Sequence, residues 1–235
     1  MSEVILSNKQ VFNFNCQMTG NCCNKMEIYL NPYDILQIAT SLNTTTTEII
    51  NKHLIFLENK QQGLQKPIFY KARTTYCDFN KDKKCQIHKK RPLSCRLFPL
   101  IRKNGKFYNS NSSFCQGLSS MNQQNIDSYL VEQEALEYIA EADVYHKLLT
   151  LVVEKYDLKN MDQYLLQLFY LVLFDYDQVF YEYEIADNKE KNRFAIHIAE
   201  FLVENYFNNI NYDKEDLLNK IFIEGDRYLA ESIKK

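Results

Sequence analysis

Beyond residue 120 apolar positions recur every three or four residues. Ile126, Leu130, Leu136, Ile139, Ala140 and Val144 trace one face of a single long helix. Further helices are predicted near 161–175, 189–208 and 213–233, while Gln178 to Tyr183 fits either a helix end or a loop. The earlier half reads differently. Asn31-Pro32 supplies a cap and a first-turn proline for a helix whose apolar stripe is Ile35, Leu36, Ile38, Ala39 and Leu42. Thr45 to Glu48 has capping-box spacing and opens a second short helix through Leu54. Tyr76 to Ile87 reads as a hairpin turning at Asn80-Lys81-Asp82-Lys83, which would bring Cys77 and Cys85 close. Pro92 to Phe98 makes one or two helical turns stopped before Pro99. Asn104-Gly105, between two short apolar stretches, is a hairpin signal.

Composition changes at the same place. All four prolines and four of the five glycines precede residue 120. The predicted fold class is therefore α+β: a small, loop-rich cysteine domain of short hairpins and helices over residues 1–120, packed on an all-helical region over 121–235. The net charge of -2 conceals an asymmetry, because residues 1–120 carry 17 Lys+Arg against 7 Asp+Glu and the remainder carries 11 against 23. Attraction between the halves, or thiolates offsetting the basic half, explains this. An anionic ligand or an acidic partner for the basic half is the sharper alternative. No dense basic run with interleaved aromatics points to nucleic acid. No apolar run is long enough for a membrane span or a signal peptide, so the expectation is a cytoplasmic protein in a reducing compartment.

The chemistry lies in the cysteines. All seven fall between residues 16 and 115: Cys16, Cys22 and Cys23, then Cys77, Cys85 and Cys95, then Cys115. Thiols gathered this way in a reducing compartment point to metal rather than to disulfides, and a chain of 235 residues needs no cysteine staples. A structural zinc favours paired knuckles of C-x2-4-C spacing, whereas an iron–sulfur cluster accepts more scattered thiolates. No C-x2-C pair exists here, so iron–sulfur, as [4Fe-4S], is favoured and zinc is the alternative. The adjacent Cys22 and Cys23 must be bent together by a turn helped by Gly20 and Asn21, serve different roles, or form a vicinal disulfide. Arg91 and Arg96 flank Cys95 and are cofactor-binding candidates, since positive charge favours the thiolate. His88 could complete a coordination sphere through C-x2-H. Aromatics next to cysteines, Phe12, Phe14, Phe98 and Phe114, could shield a cluster from water. No serine-hydrolase elbow, phosphate-binding loop, zinc-protease helix or calcium loop is found.

Cys16, Gly20-Asn21-Cys22-Cys23, Leu30-Asn31-Pro32-Tyr33-Asp34-Ile35, Cys85-Gln86-Ile87-His88, Arg91-Pro92-Leu93-Ser94-Cys95-Arg96-Leu97-Phe98-Pro99 and Cys115 together resemble the YkgJ-type cysteine-cluster family, which chelates zinc or iron. The resemblance spans about residues 12–118 and implies a ligand pool of Cys16, Cys22, Cys23, Cys77, Cys85, Cys95 and Cys115. Thr19 stands where the family box has a further cysteine. Through the same box the chain is similar to flagellin lysine N-methylases, which would imply methyl transfer from S-adenosylmethionine to a protein substrate. No glycine-rich nucleotide loop supports that. Three functions follow as expectations: a metal-cluster protein, a protein-modifying methyltransferase, and a metal-handling module whose acidic half docks a protein partner.

Overall fold

A computed structural model describes residues 5–6, 11–17, 19–59, 62–69, 77–82, 84–110, 112–209 and 211–232. In chain order come β1 (Ile5–Leu6), β2 (Val11–Asn13), α1 (Asn21–Lys25), α2 (Pro32–Leu42), α3 (Thr46–His53), β3 (Leu54–Asn59), β4 (Leu64–Phe69), β5 (Asn80–Lys81) and β6 (Lys84–Cys85). Then follow α4 (Leu93–Leu97), β7 (Leu100–Lys103), β8 (Lys106–Asn109), β9 (Gln123–Asn125), α5 (Ile126–Glu132), α6 (Leu136–Lys155), α7 (Gln163–Phe174), α8 (Tyr176–Val179), α9 (Asn188–Tyr206) and α10 (Lys214–Ser232). The class is α+β. Strands pair antiparallel in small sheets: β1-β8-β7, β2-β9, β3-β4 and β5-β6.

The expected starts and turns are present where local chemistry dictates them. Asn31 caps α2 by accepting the Asp34 N–H at 3.0 Å, while the Asp34 carboxylate accepts the Asn31 N–H at 3.1 Å. Thr45 caps α3 through the Glu48 N–H. Asn104 and Gly105 both take positive φ, 48° and 74°, as a tight hairpin between twisted strands requires. The second hairpin pairs Asn80 with Cys85. Tyr76 and Lys83, named for that hairpin, lie outside the described residues. The expected helices of the second half are α7, α9 and α10, and the ambiguous stretch supplies the end of the short α8.

Three expectations are corrected. The single long helix is two, α5 and α6, broken where Glu134 turns left-handed with φ 50°. The Ala135 N–H reaches back to Leu130 at 2.9 Å to close α5, and the freed Gln133 carbonyl is taken by Arg96 at 2.7 Å. The buried face of α6 is accordingly Tyr138, Ala142, Tyr145, Leu148, Leu149 and Val152, not the stripe through the exposed Leu136. Next, α3 ends at His53, and Leu54 begins a hairpin, β3-β4, that the sequence reading lacked. Pro67 inside β4 masked it, although its carbonyl still accepts the Leu30 N–H at 3.0 Å. Finally, the region beyond residue 121 opens on a strand, β9, before turning helical.

Two cores result. The larger gathers Ile35, Ile38 and Ile49 of the first half with α7, α9 and α10, for example Phe169, Ile198 and Ile221, all essentially without exposure. The smaller joins Phe12, Phe14, Leu97 and Phe98 to Ile126, Tyr129 and Tyr138. Both halves of the chain contribute to each. No helix among the described residues is long and apolar enough to cross a membrane.

Candidate metal centre

Five of the seven cysteines lie along the seam between these two cores. Cys77, Cys85 and Cys95 pack against the larger, Cys22 and Cys115 against the smaller, and Met26 touches both. Five separate segments deliver them.

Helix α1 is the hub. Gly20 enters it with φ 71°, and the Cys23 N–H closes the turn on the Gly20 carbonyl at 3.1 Å. The left-handed φ at Gly20 favours glycine, and a Cβ there would stand 2.9 Å from Asn80 Nδ2, so α1 lies close against the hairpin that carries Cys85. On its other side Asn21 Nδ2 donates to the Phe114 carbonyl at 3.4 Å, tying α1 to the loop of Cys115. Helical winding turns Cys22 and Cys23 to neighbouring azimuths, and the Cys23 thiol donates to Cys22. Both thiols are free, so the pair forms no vicinal disulfide.

Cys77 is held by its neighbours. Asp78 meets His53 Nδ1 at 3.1 Å, Phe79 lies tilted against the same imidazole, and the Asn80 N–H returns to the Cys77 carbonyl at 2.9 Å. Cys85 accepts from the Ile87 N–H. Cys95 rides on α4, whose first turn is anchored from outside: Asp34 Oδ1 accepts the Leu93 N–H at 2.8 Å. Cys115 follows a tight turn, its N–H on Ser112 at 3.1 Å, beside Gly117. A Cβ on Gly117 would meet the Asn15 carbonyl at 2.5 Å, so this close approach is what sets the Cys115 loop against the segment of Cys16.

Electrostatics show which sulfurs share a neighbourhood. The Cys95 thiol is pushed well up by burial, then by the charges of Cys77, Cys85, Asp34 and Cys22. Cys23 is likewise raised, first by its bond to Cys22 and by burial, then by Cys22, Cys77 and Cys95. Cys22, as acceptor of that bond, drops to about 6. A second neighbourhood surrounds the buried Tyr129, whose hydroxyl feels Cys16, Cys115 and Cys22 and donates to the Phe98 carbonyl. Cys22 belongs to both. Among the described residues no three Cys, His, Asp or Glu side chains stand close enough together to hold a metal ion. The sulfurs are assembled as a neighbourhood, and the donor chemistry, soft thiols with one already inclined to ionise, fits a thiophilic metal.

The two arginines divide their work. Arg96 is 1% exposed and spends all its donors on protein: Nε on the Arg91 carbonyl, Nη1 on Gln133 and Glu134, Nη2 on Lys89 and on the Tyr138 hydroxyl. Its guanidinium also lies 4.0 Å over the Tyr138 ring. Arg96 therefore stiffens the loop from Lys89 to Cys95. Arg91 donates to the His88 carbonyl at 2.6 Å and to Gln133 at 2.7 Å, and its charge is felt by Cys95 and Cys85. His88 is held toward its neutral form by partial burial and by both arginines.

Asp34, Tyr129, Tyr138 and Gly117 were not singled out by the sequence reading. Asp34 and Tyr33 stood inside the resemblance string but looked like ordinary helix residues. Tyr129 and Tyr138 sit in an apolar pattern that core packing already explained. Phe14 and Phe98, expected to shield a cluster, lie in the smaller core, their rings 6.4 Å apart edge to face.

No match was found to curated proteins or to solved structures. Residues 15–116 match the family model named CxxCxxCC, described as "putative zinc- or iron-chelating domain". That segment, which contains every cysteine from Cys16 to Cys115, is similar to the CxxCxxCC family.

Proposed function

We propose that the chain holds a [4Fe-4S] cluster on Cys22, Cys77, Cys85 and Cys95, with a zinc ion as the alternative guest. One observation carries the reading: Cys77, Cys85 and Cys95 all pack against the larger core and Cys22 against the smaller, with Met26 touching both. Four thiolates from a hairpin, a short helix and α1 suit a cluster's tolerance of scattered spacing. Such a cluster supplies one-electron chemistry or structural cross-linking when bound.

The residues around it have definable tasks. The Ile87 N–H on Cys85 and the Cys23 thiol on Cys22 lower charge on ligand sulfur, the kind of hydrogen bonding that tunes a cluster. Arg91 offsets the negative charge that four thiolates bring. Cys16 and Cys115, around Tyr129, extend the pool beside Cys22. The reading goes with a reducing, cytoplasmic setting, in which thiols persist unpaired.

Absorption spectra of anaerobically purified chain test this. The reading expects a broad visible band that bleaches on reduction, is lost in Cys95→Ala and survives in Cys115→Ala. A colourless chain carrying one zinc would replace the cluster with the alternative guest. A methyltransferase role would reveal itself separately, as calorimetric binding of S-adenosylmethionine.

A further inference from the structure

On the far side of Cys115 lies an open cleft of about 570 Å³, within the range of small-molecule sites. Strand β2, the end of β8, the loop before Cys115 and strand β9 form its walls. Apart from the Cys115 thiol, its polar lining consists of amides and hydroxyls, among them Asn13, Asn109, Ser110, Ser112, Ser113 and Gln123. None of its described lining residues carries a charge. We propose that this cleft binds a small, uncharged, hydroxyl-bearing ligand of the monosaccharide class.

Three observations support that chemistry. Asn109 lines the cleft with a side-chain amide, which can donate to or accept from a ligand hydroxyl. Ser110 is 8% exposed and shares a hydroxyl bond with Ser112, which leaves these oxygens able to donate or accept. A charged ligand would enter without a counter-charge, whereas hydroxyls match a wall of mixed donors and acceptors. The ligand would also lie against Cys115, so the cleft opens onto the thiols around Tyr129. The proposal depends on the cleft and not on which metal the thiols hold.

Saturation-transfer NMR on the full chain, with glucose and glucose 6-phosphate as probes, tests it. Metal content measured on the same sample keeps failure here distinct from failure of the cluster reading. Glucose should receive saturation and bind at least about ten-fold more tightly than glucose 6-phosphate, and Asn109→Ala should weaken glucose about ten-fold, the loss of one good hydrogen bond. Ser113→Phe, at the exposed wall, should block the cleft while leaving the melting temperature unchanged. No transfer to glucose, equal or tighter binding of the phosphate, or full binding in a folded Ser113→Phe chain would overturn the proposal.

Discussion

Asp34 on α2 caps a helix to which it does not belong: its Oδ1 accepts the backbone N–H of Leu93, at 2.8 Å, at the start of the turn that presents Cys95. The other oxygen closes the box on Asn31, so one carboxylate fixes two helix starts at once. Burial raises Asp34 from 3.8 to about 7, against the pull of both N–H donors and of Arg96. The folded chain then keeps a proton that the unfolded chain has released between pH about 4 and 7, and stability from this group falls as pH rises through that interval. Metal-free wild type should lose stability relative to Asp34→Asn across that window, and the difference should level off above pH 7. Urea titrations at a series of pH values measure it. A difference flat from pH 4 to 7 would refute the burial argument.

Arg96→Met should cost roughly 3 kcal/mol or more, because the carbonyls of Lys89, Arg91 and Gln133 lose their donor in a buried setting. Arg96→Lys should recover only part, since an ammonium lacks the planar fork that spans these partners. Chemical denaturation of the metal-free chain separates this from any effect on metal uptake. Equal stability of the lysine variant and wild type would show the fork to be dispensable.

Gly117→Ala should push the Cys115 loop away from Asn15, because the new methyl would meet that carbonyl at 2.5 Å. Thiols gathered around Tyr129 should separate while those around Cys95 stay. Metal loading should therefore fall little, and alkylation of Cys16 and Cys115 should quicken. Complete loss of metal in a folded Gly117→Ala chain would mean that the Tyr129 neighbourhood is indispensable.

Cys22 in the metal-free chain should alkylate with iodoacetamide along a pH curve centred near its value of about 6. Removing the donor in Cys23→Ala should shift that curve upward. Peptide mass spectrometry resolves the two neighbours. An unchanged curve would show that the Cys23 thiol does not reach Cys22.

Elements whose signal is local were legible in the sequence. Asn31-Pro32, Thr45 and Asn104-Gly105 each fix φ or satisfy an orphan N–H within four residues, and each stands where expected. The break at Glu134 was not legible, because the carbonyl it frees finds its donor about 40 residues away in Arg96. The hairpin β3-β4 escaped because Pro67 spoils its pattern while its tertiary neighbours, such as Phe174 against Phe56, stabilise it. The centre divides in the same way. Cysteine spacing marked the pool and the basic flank, but only folding shows that Cys77, Cys85, Cys95 and Cys22 share one neighbourhood while Cys16 and Cys115 face Tyr129. Asp34 and Gly117 act by packing and by a backbone contact that no single motif announces.

The central claim is a guest held by sulfur at the seam, and anaerobic quantitation of iron, acid-labile sulfide and zinc in freshly purified chain tests it most directly. The account predicts about four iron and four sulfide per chain, falling to background in Cys95→Ala. A folded wild-type chain with neither iron nor zinc would contradict it.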